Sequence, residues 1–230
     1  MFDMKDEVIK ELLPKAKKMD VESMYSLACH YLALNKRRKA IKWYKKAGSK
    51  AHSAAQRDLG ILYCGDASHE PDYKKAVEWL TLAAVQDEVK AMWALGWIYE
   101  NGSSGRKDIN KANFWFQSAA QMKYPDAEYR MGVIFEEGHG VAQSDKMAFQ
   151  WYLKSASHHF VEGMYRVSMF LEIGRGCPRS INEAAFWKKE AYRYDLARSQ
   201  EKLKRLPHGE AAKEDKEKEE EKPLPDSHQA

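Results

Sequence analysis

Two glycine pairs, Gly138-x-Gly140 and Gly174-x-Gly176, come nearest in this chain to a loop that could cradle a phosphate. Such loops need a preceding strand and a Gly-Lys-Ser/Thr, which together present backbone N–H groups, an ammonium and a hydroxyl to the anion. Neither accompanies these pairs, which follow helical spacing and read as turn glycines. His158-His159 would suit a metal or a general base. Adjacent helix positions diverge, however, and no carboxylate or thiol stands at ligand spacing beside them, so they read as surface histidines. Cys29, Cys64 and Cys177 are odd in number and form no CxxC pair, which indicates neither a disulfide framework nor a zinc site. The run Lys36-Arg37-Arg38-Lys39, continued by Lys42, Lys45, Lys46 and Lys50, places eight positive charges in fifteen residues without an acid. A solvated helix face is its ordinary meaning, and a patch for an acidic partner or nucleic acid is the alternative. No residue set qualifies as catalytic, and no metal or cofactor is expected.

The elements beneath these residues repeat. Trp43, Trp79, Trp115, Trp151 and Trp187 stand 36 residues apart. An alanine precedes each by three positions (Ala40, Ala76, Ala112, Ala148, Ala184), and a small residue follows each by four (Ala47, Ala83, Ala119, Ser155, Ala191). Upstream lie Leu59-Gly60, Leu95-Gly96 and Met131-Gly132, each followed by an aromatic ring. A period of this length means stacked units, because one unit cannot bury its apolar face alone. Ala91, Leu95, Gly96 and Tyr99 share one helix face, and Ala112, Trp115, Phe116 and Ala119 share that of a second, so each unit reads as two helices. Asp72, Asp108, Ser144 and Ser180, seven residues before a tryptophan, are expected N-caps. The repeated glycines point to a close approach of the two helices, with the paired alanines on the other side. The five tryptophans are expected in the core.

These patterns resemble the Sel-1-like repeat, a relative of the tetratricopeptide repeat: Ala-x-x-x-Leu-Gly-x-x-Tyr, a Gly-x-Gly turn, then Lys-Ala-x-x-Trp-Tyr-x-Lys-Ala. The closest units are Ala91 to Ala120 and Ala127 to Ala156. The family glycine eight residues after the tryptophan is replaced here by Ala51, Asp87, Lys123, His159 and Asp195, and Leu-Gly becomes Val167-Ser168 in the fifth unit. The resemblance implies an all-α fold, a right-handed α-α superhelix of five two-helix repeats, used as a scaffold for protein partners. The repeats are expected at about 21–52, 53–88, 89–124, 125–160 and 161–194. A capping helix is expected within residues 1–20, carried by Val8, Leu12, Leu13 and Ala16, and another at 195–206 with Leu196 and Leu203.

Helical phase selects the residues a partner would meet. The position two after the Leu of Leu-Gly lies about 200° from it, on the opposite side of the first helix. That column holds Cys29, Ile61, Trp97, Val133 and Met169, and the column four residues earlier holds Tyr25, Arg57, Trp93, Tyr129 and Tyr165. Tyr25, Arg57, Ile61, Trp93, Trp97, Tyr129 and Tyr165 are the candidate groove residues. Trp93 and Trp97 are either packing between first helices or exposed anchors. Glu100 and Glu136, with Glu137 and Glu172, would rim one end and favour a basic or amphipathic partner.

The leading expectation is a non-catalytic adaptor or inhibitor, for instance a bacterial immunity protein, with a protein or peptide in the groove. One alternative is an enzyme of the β-lactamase-like type described for some repeat relatives, although Ser23 and Ser26 lack the Ser-Asp-Asn and Lys-Thr-Gly companions of that chemistry. The other is a basic-patch binder. A mild net charge of +4 over 230 residues disfavours nucleic acid. The acidic start, Asp3 to Glu7, and the lack of an apolar run of about 18 residues lead us to expect a cytoplasmic protein with no membrane partner. Residues 207–230 hold too few apolar side chains to offset their ordering entropy and are expected to form a disordered charged tail. Cutting after Leu206 should leave the melting temperature within about two degrees. A larger drop in a thermal melt would show that the tail docks on the repeats.

Overall fold

The computed structural model describes residues 4–205, so the expected tail at 207–230 lies outside the described residues. These residues form eleven helices and no strand. A lone first helix, α1 (Met4–Lys17), is followed by the pairs α2 (Val21–Ala33) and α3 (Arg37–Gly48), α4 (Ser53–Tyr63) and α5 (Tyr73–Ala84), and α6 (Val89–Asn101) and α7 (Ile109–Gln121). Then come α8 (Pro125–Glu137) and α9 (Asp145–Ser157), and α10 (Val161–Ile173) and α11 (Ile181–Arg205). Each helix packs on its neighbours in the chain, which makes an α-α solenoid.

Local chemistry sets the boundaries. The side chains of Asp72, Asp108 and Ser144 accept hydrogen bonds from the backbone N–H of Lys75, Lys111 and Met147 at 3.1, 3.0 and 3.3 Å. Lys36 holds this place in the first unit and makes no side-chain cap. The left-handed Gly102, Gly138 and Gly174 end α6, α8 and α10, a conformation that is cheap only without a Cβ. Hydrogen bonds to Lys75 hold the Asp72 carboxyl below its ordinary value of 3.8, and the Lys111 amide does the same for Asp108. The contribution of these caps is therefore complete above pH 3.8 and is lost as pH falls through the lowered values.

The small-residue columns are fully buried. All ten positions three before and four after the tryptophans are inaccessible or nearly so. The glycine seam differs from the expectation. A Cβ at Gly96 would overlap the Phe116 ring, one at Gly132 would overlap Tyr152, and one at Gly60 would stand 2.6 Å from Leu80 Cγ. What the glycine accommodates is the residue after each tryptophan, not an alanine. Leu80, Phe116 and Tyr152 are buried in this role, and Tyr44 is buried in the first unit, which has Ala28 in place of the glycine; of the five repeat tryptophans only Trp43 is buried. Trp79, Trp115, Trp151 and Trp187 are half-buried at the margin of the core, because one residue along a helix turns the side chain by about 100°. The fifth unit has Lys188 after its tryptophan and serine in place of the glycine.

Four of the five positions that lack the family glycine are left-handed all the same. Ala51, Asp87, Lys123 and His159 adopt φ of 60, 62, 58 and 63°, in the left-handed region. Asp195 instead stays helical inside α11, so the segment expected as a separate capping helix continues the second helix of the fifth unit. Leu196 on it is exposed, and the Leu203 side chain is not among those described. At the other end Leu12, Leu13 and Ala16 of α1 pack on the first unit together with Ile9, while Val8 points away.

Gly96→Ala should lower stability. Alanine gains about 1 kcal/mol in helix propensity, but crowding Phe116 costs about 1–3 kcal/mol, and Gly96→Leu or Ala112→Asp should cost several more. A denaturant midpoint for Gly96→Ala at or above that of the parent would contradict the seam. Lys123→Gly should be neutral or stabilising by up to about 1 kcal/mol, because relief of left-handed strain offsets the added chain entropy. Lys123→Val should be destabilising in the same measurement.

Candidate functional site

The first helices α2, α4, α6, α8 and α10 carry the candidate groove residues. Ile61, Trp97 and Met169 are 43, 37 and 52% exposed, whereas Cys29 and Val133 in the same column are half-buried. The column four residues earlier is half-buried throughout. Tyr25 stacks on His52 with ring centroids 4.6 Å apart and donates to Asp58 Oδ2 at 3.0 Å. Arg57 bridges Asp58 and Glu88 at 2.8 and 3.0 Å, reaching from α4 to the residue that precedes α6. Tyr129 lies between Tyr152 and Phe160, and Tyr165 packs on the core of the last units.

The two tryptophans of α6 divide the alternatives between them. Trp93 packs on Phe116 and on Tyr124, where α8 begins, with centroids 5.2 and 5.8 Å away. Trp97 stands edge-on to Trp93 at 5.6 Å and takes the Arg130 guanidinium at 5.3 Å from its ring. Trp93 is inter-repeat packing, and Trp97 is a surface ring held by its neighbours.

Glu100 and Glu136 are not a free acidic rim. Arg130 of α8 reaches back to Glu100, and Arg166 of α10 reaches back to Glu136. Glu136 also accepts from the Tyr152 hydroxyl at 2.5 Å and from Arg175 Nη1 at 2.7 Å, and Arg175 Nη2 pairs with Asp145 at 2.7 Å. Burial and the bond to Glu136 hold the Tyr152 phenol far above its usual range, so it remains a donor. Burial works against the Arg166 charge, but Tyr152 and Glu136 outweigh it. Beside Trp97 lies an open cavity of about 510 Å³ lined by Glu100, Lys107, Ile109, Arg130 and His139 among others.

The remaining sequence candidates also have places. In the basic run, Arg37 pairs with Asp66 at 3.0 Å and reaches the Leu62 carbonyl. Lys39, Lys45 and Lys46 lie over the rings of Tyr31, Tyr63 and Trp43. Lys36 and Arg38 are exposed. His158, expected as a plain surface residue, meets the buried Glu128 at 2.7 Å, a pairing across 30 residues that local spacing does not show. Among the described residues no three His, Cys, Asp or Glu side chains are placed to hold a metal, and no helix is long and apolar enough to cross a membrane.

The chain belongs to the Sel1 repeat family, whose model matches residues 21–52, 53–87, 89–124, 125–159 and 161–193. Among solved structures it is similar to a protective antigen of uropathogenic Escherichia coli with the same repeat fold, at 24% identity and a TM-score of 0.76. That match covers 80% of this chain, which spans only 40% of the antigen. A Sel1 repeat protein from Oxalobacter formigenes is 26% identical with a TM-score of 0.68, over 76% of this chain and 73% of the other. An immunity protein from Pseudomonas aeruginosa shares the fold at 16% identity and a TM-score of 0.53, over 85 and 76% of the two chains. No curated protein matches.

Glu136→Gln should destabilise by about 1–3 kcal/mol, since it weakens two arginine pairings that are partly solvent-screened. Glu100→Gln should cost less, having one cation to lose. Equal losses in chemical denaturation would contradict this ranking of the two clamps.

Proposed function

We propose that this chain is a non-catalytic scaffold that binds a protein or peptide partner along its first helices, with Trp97 as the anchor. The observation that carries this reading is the exposed indole of Trp97. It is fixed by Trp93 on one side and Arg130 on another, beside a cavity, and shares its column with the exposed Ile61 and Met169. A rigid aromatic ring beside a cavity gives large contact area at little cost in side-chain entropy, which is how interface anchors work. Membership in a repeat family whose units stack into extended surfaces supports the same reading. An inhibitor that covers another protein is one form of it, and the similar fold of the Pseudomonas immunity protein is compatible with that form.

The basic run supports a second, weaker reading, in which Lys36, Arg37, Arg38 and Lys39 receive an acidic partner. Arg37 and Lys39 already have partners within the chain, which leaves Lys36 and Arg38 as its free charges in that tetrad. Affinity capture followed by titration of the captured partner separates the two. Trp97→Ala should weaken a groove-bound partner by about 2 kcal/mol and leave the helical signal intact. Arg37→Glu with Arg38→Glu should have little effect on that partner. A salt-dependent loss caused by the charge reversal alone would move the site to the basic run.

A further inference from the structure

Two neighbouring units carry the same site, once filled and once open. In the filled copy the turn after α10 presents Arg175 to the unit before it. Its guanidinium pairs with Glu136 and Asp145, both at 2.7 Å, and lies 5.0 Å from the Phe170 ring. The open copy is found 36 residues earlier, where Glu136 becomes Glu100, Asp145 becomes Ile109 and Arg175 becomes His139. The backbones correspond. Gly138 and Gly140 have φ of 73 and 73°, Gly174 and Gly176 have 71 and 67°, and each second glycine lies tight on the start of the preceding unit's second helix, at Ile109 and Asp145. His139 does not reach Glu100, and turns instead to Glu137 at 3.1 Å.

Glu100 is consequently short of partners. Glu136 accepts from two arginines and a tyrosine hydroxyl, whereas the hydroxyl's counterpart at the open site is Phe116, which has nothing to donate. Glu100 accepts from Arg130 through Oε1, and its side chain lines the 510 Å³ cavity between Trp97 and His139. From this internal copy, and resting on the groove reading above, we infer that the cavity receives an arginine side chain from the partner. Its guanidinium takes the second oxygen of Glu100, as Arg175 takes that of Glu136, and its stem lies along Trp97 and Ile109. A planar donor fork matches a carboxylate edge and an aromatic wall better than an ammonium does. The open copy has Ile109 in place of the second carboxylate, Asp145, so Glu100 alone faces Arg130 and the arriving guanidinium, while Lys107 is exposed and screened by solvent.

The test uses N-acetyl-arginine amide as the probe, with N-acetyl-citrulline amide as its uncharged counterpart. The readout is the Trp97 indole N–H signal in a nitrogen-15 correlation spectrum. The arginine probe should shift that signal saturably in about the 1–10 mM range, and citrulline should bind about tenfold more weakly or not at all. Glu100→Gln should reduce arginine binding about tenfold or more. His139→Arg should fill the cavity from within, abolish binding and raise the melting temperature, which keeps the test decisive if Glu100→Gln folds poorly. Equal binding of citrulline, or undiminished binding to His139→Arg, would overturn the inference. If the probe fails while Trp97→Ala still loses the captured partner, the arginine pocket falls and the groove reading stands. If Trp97→Ala also has no effect on that partner, both fall.

Discussion

The structure depends on a steric constraint between two helices of one unit. A ring or a leucine on the second helix needs the space where a Cβ would stand on the first, at Gly60 with Leu80, Gly96 with Phe116 and Gly132 with Tyr152. Glycine inside a helix is unfavourable by about 1 kcal/mol, so its place here follows from the packing that it admits. Once the ring is seated, the two helices have one distance and one rotation. The small residues before and after each tryptophan, four pairs of alanines and Ala148 with Ser155, are buried beside them. Small residues on one helix and rings on the other interlock, which leaves the two helices little freedom to slide.

That constraint also decides which side chains reach solvent. Trp93 and Trp97 lie four residues apart on α6, a rotation of about 40°. The difference is enough to send Trp93 against Phe116 and Tyr124 while Trp97 keeps an exposed face. Arginines from the following unit complete the edge by reaching back to Glu100 and Glu136. These clamps link consecutive units through charge, whereas the seam joins the two helices within each unit through shape, and they hold the edge of the surface on which Trp97 stands.

Much of this architecture was legible in the residues. The tryptophan interval, the flanking alanines, the cap residues at Asp72, Asp108 and Ser144 and the turn glycines each carry a local physical signal, and each predicts a helix or its end. The partner of the glycine was not legible, because the most conspicuous residue, the tryptophan, lies one position before the one that fills the space. Nor were the left-handed Ala51, Asp87, Lys123 and His159, whose side chains give no sign of the backbone they adopt. At the candidate site the column of Trp97 followed from helical phase alone. The pairing of Glu100 with Arg130, of Glu136 with Arg166 and of Glu128 with His158 joins residues 30 apart, and no periodicity announces which charges will meet.

The most direct test of the central claim is a double-mutant cycle between Gly132 and Tyr152, measured by denaturant unfolding. Gly132→Ala and Tyr152→Ala should each destabilise the protein, one by crowding the ring and the other by removing it. Because alanine at 152 vacates the space that the new methyl group needs, the account predicts that the double variant loses less than the sum, with a coupling of about 0.5–3 kcal/mol. Strict additivity would show that the glycine and the ring do not share one space, and would contradict the account.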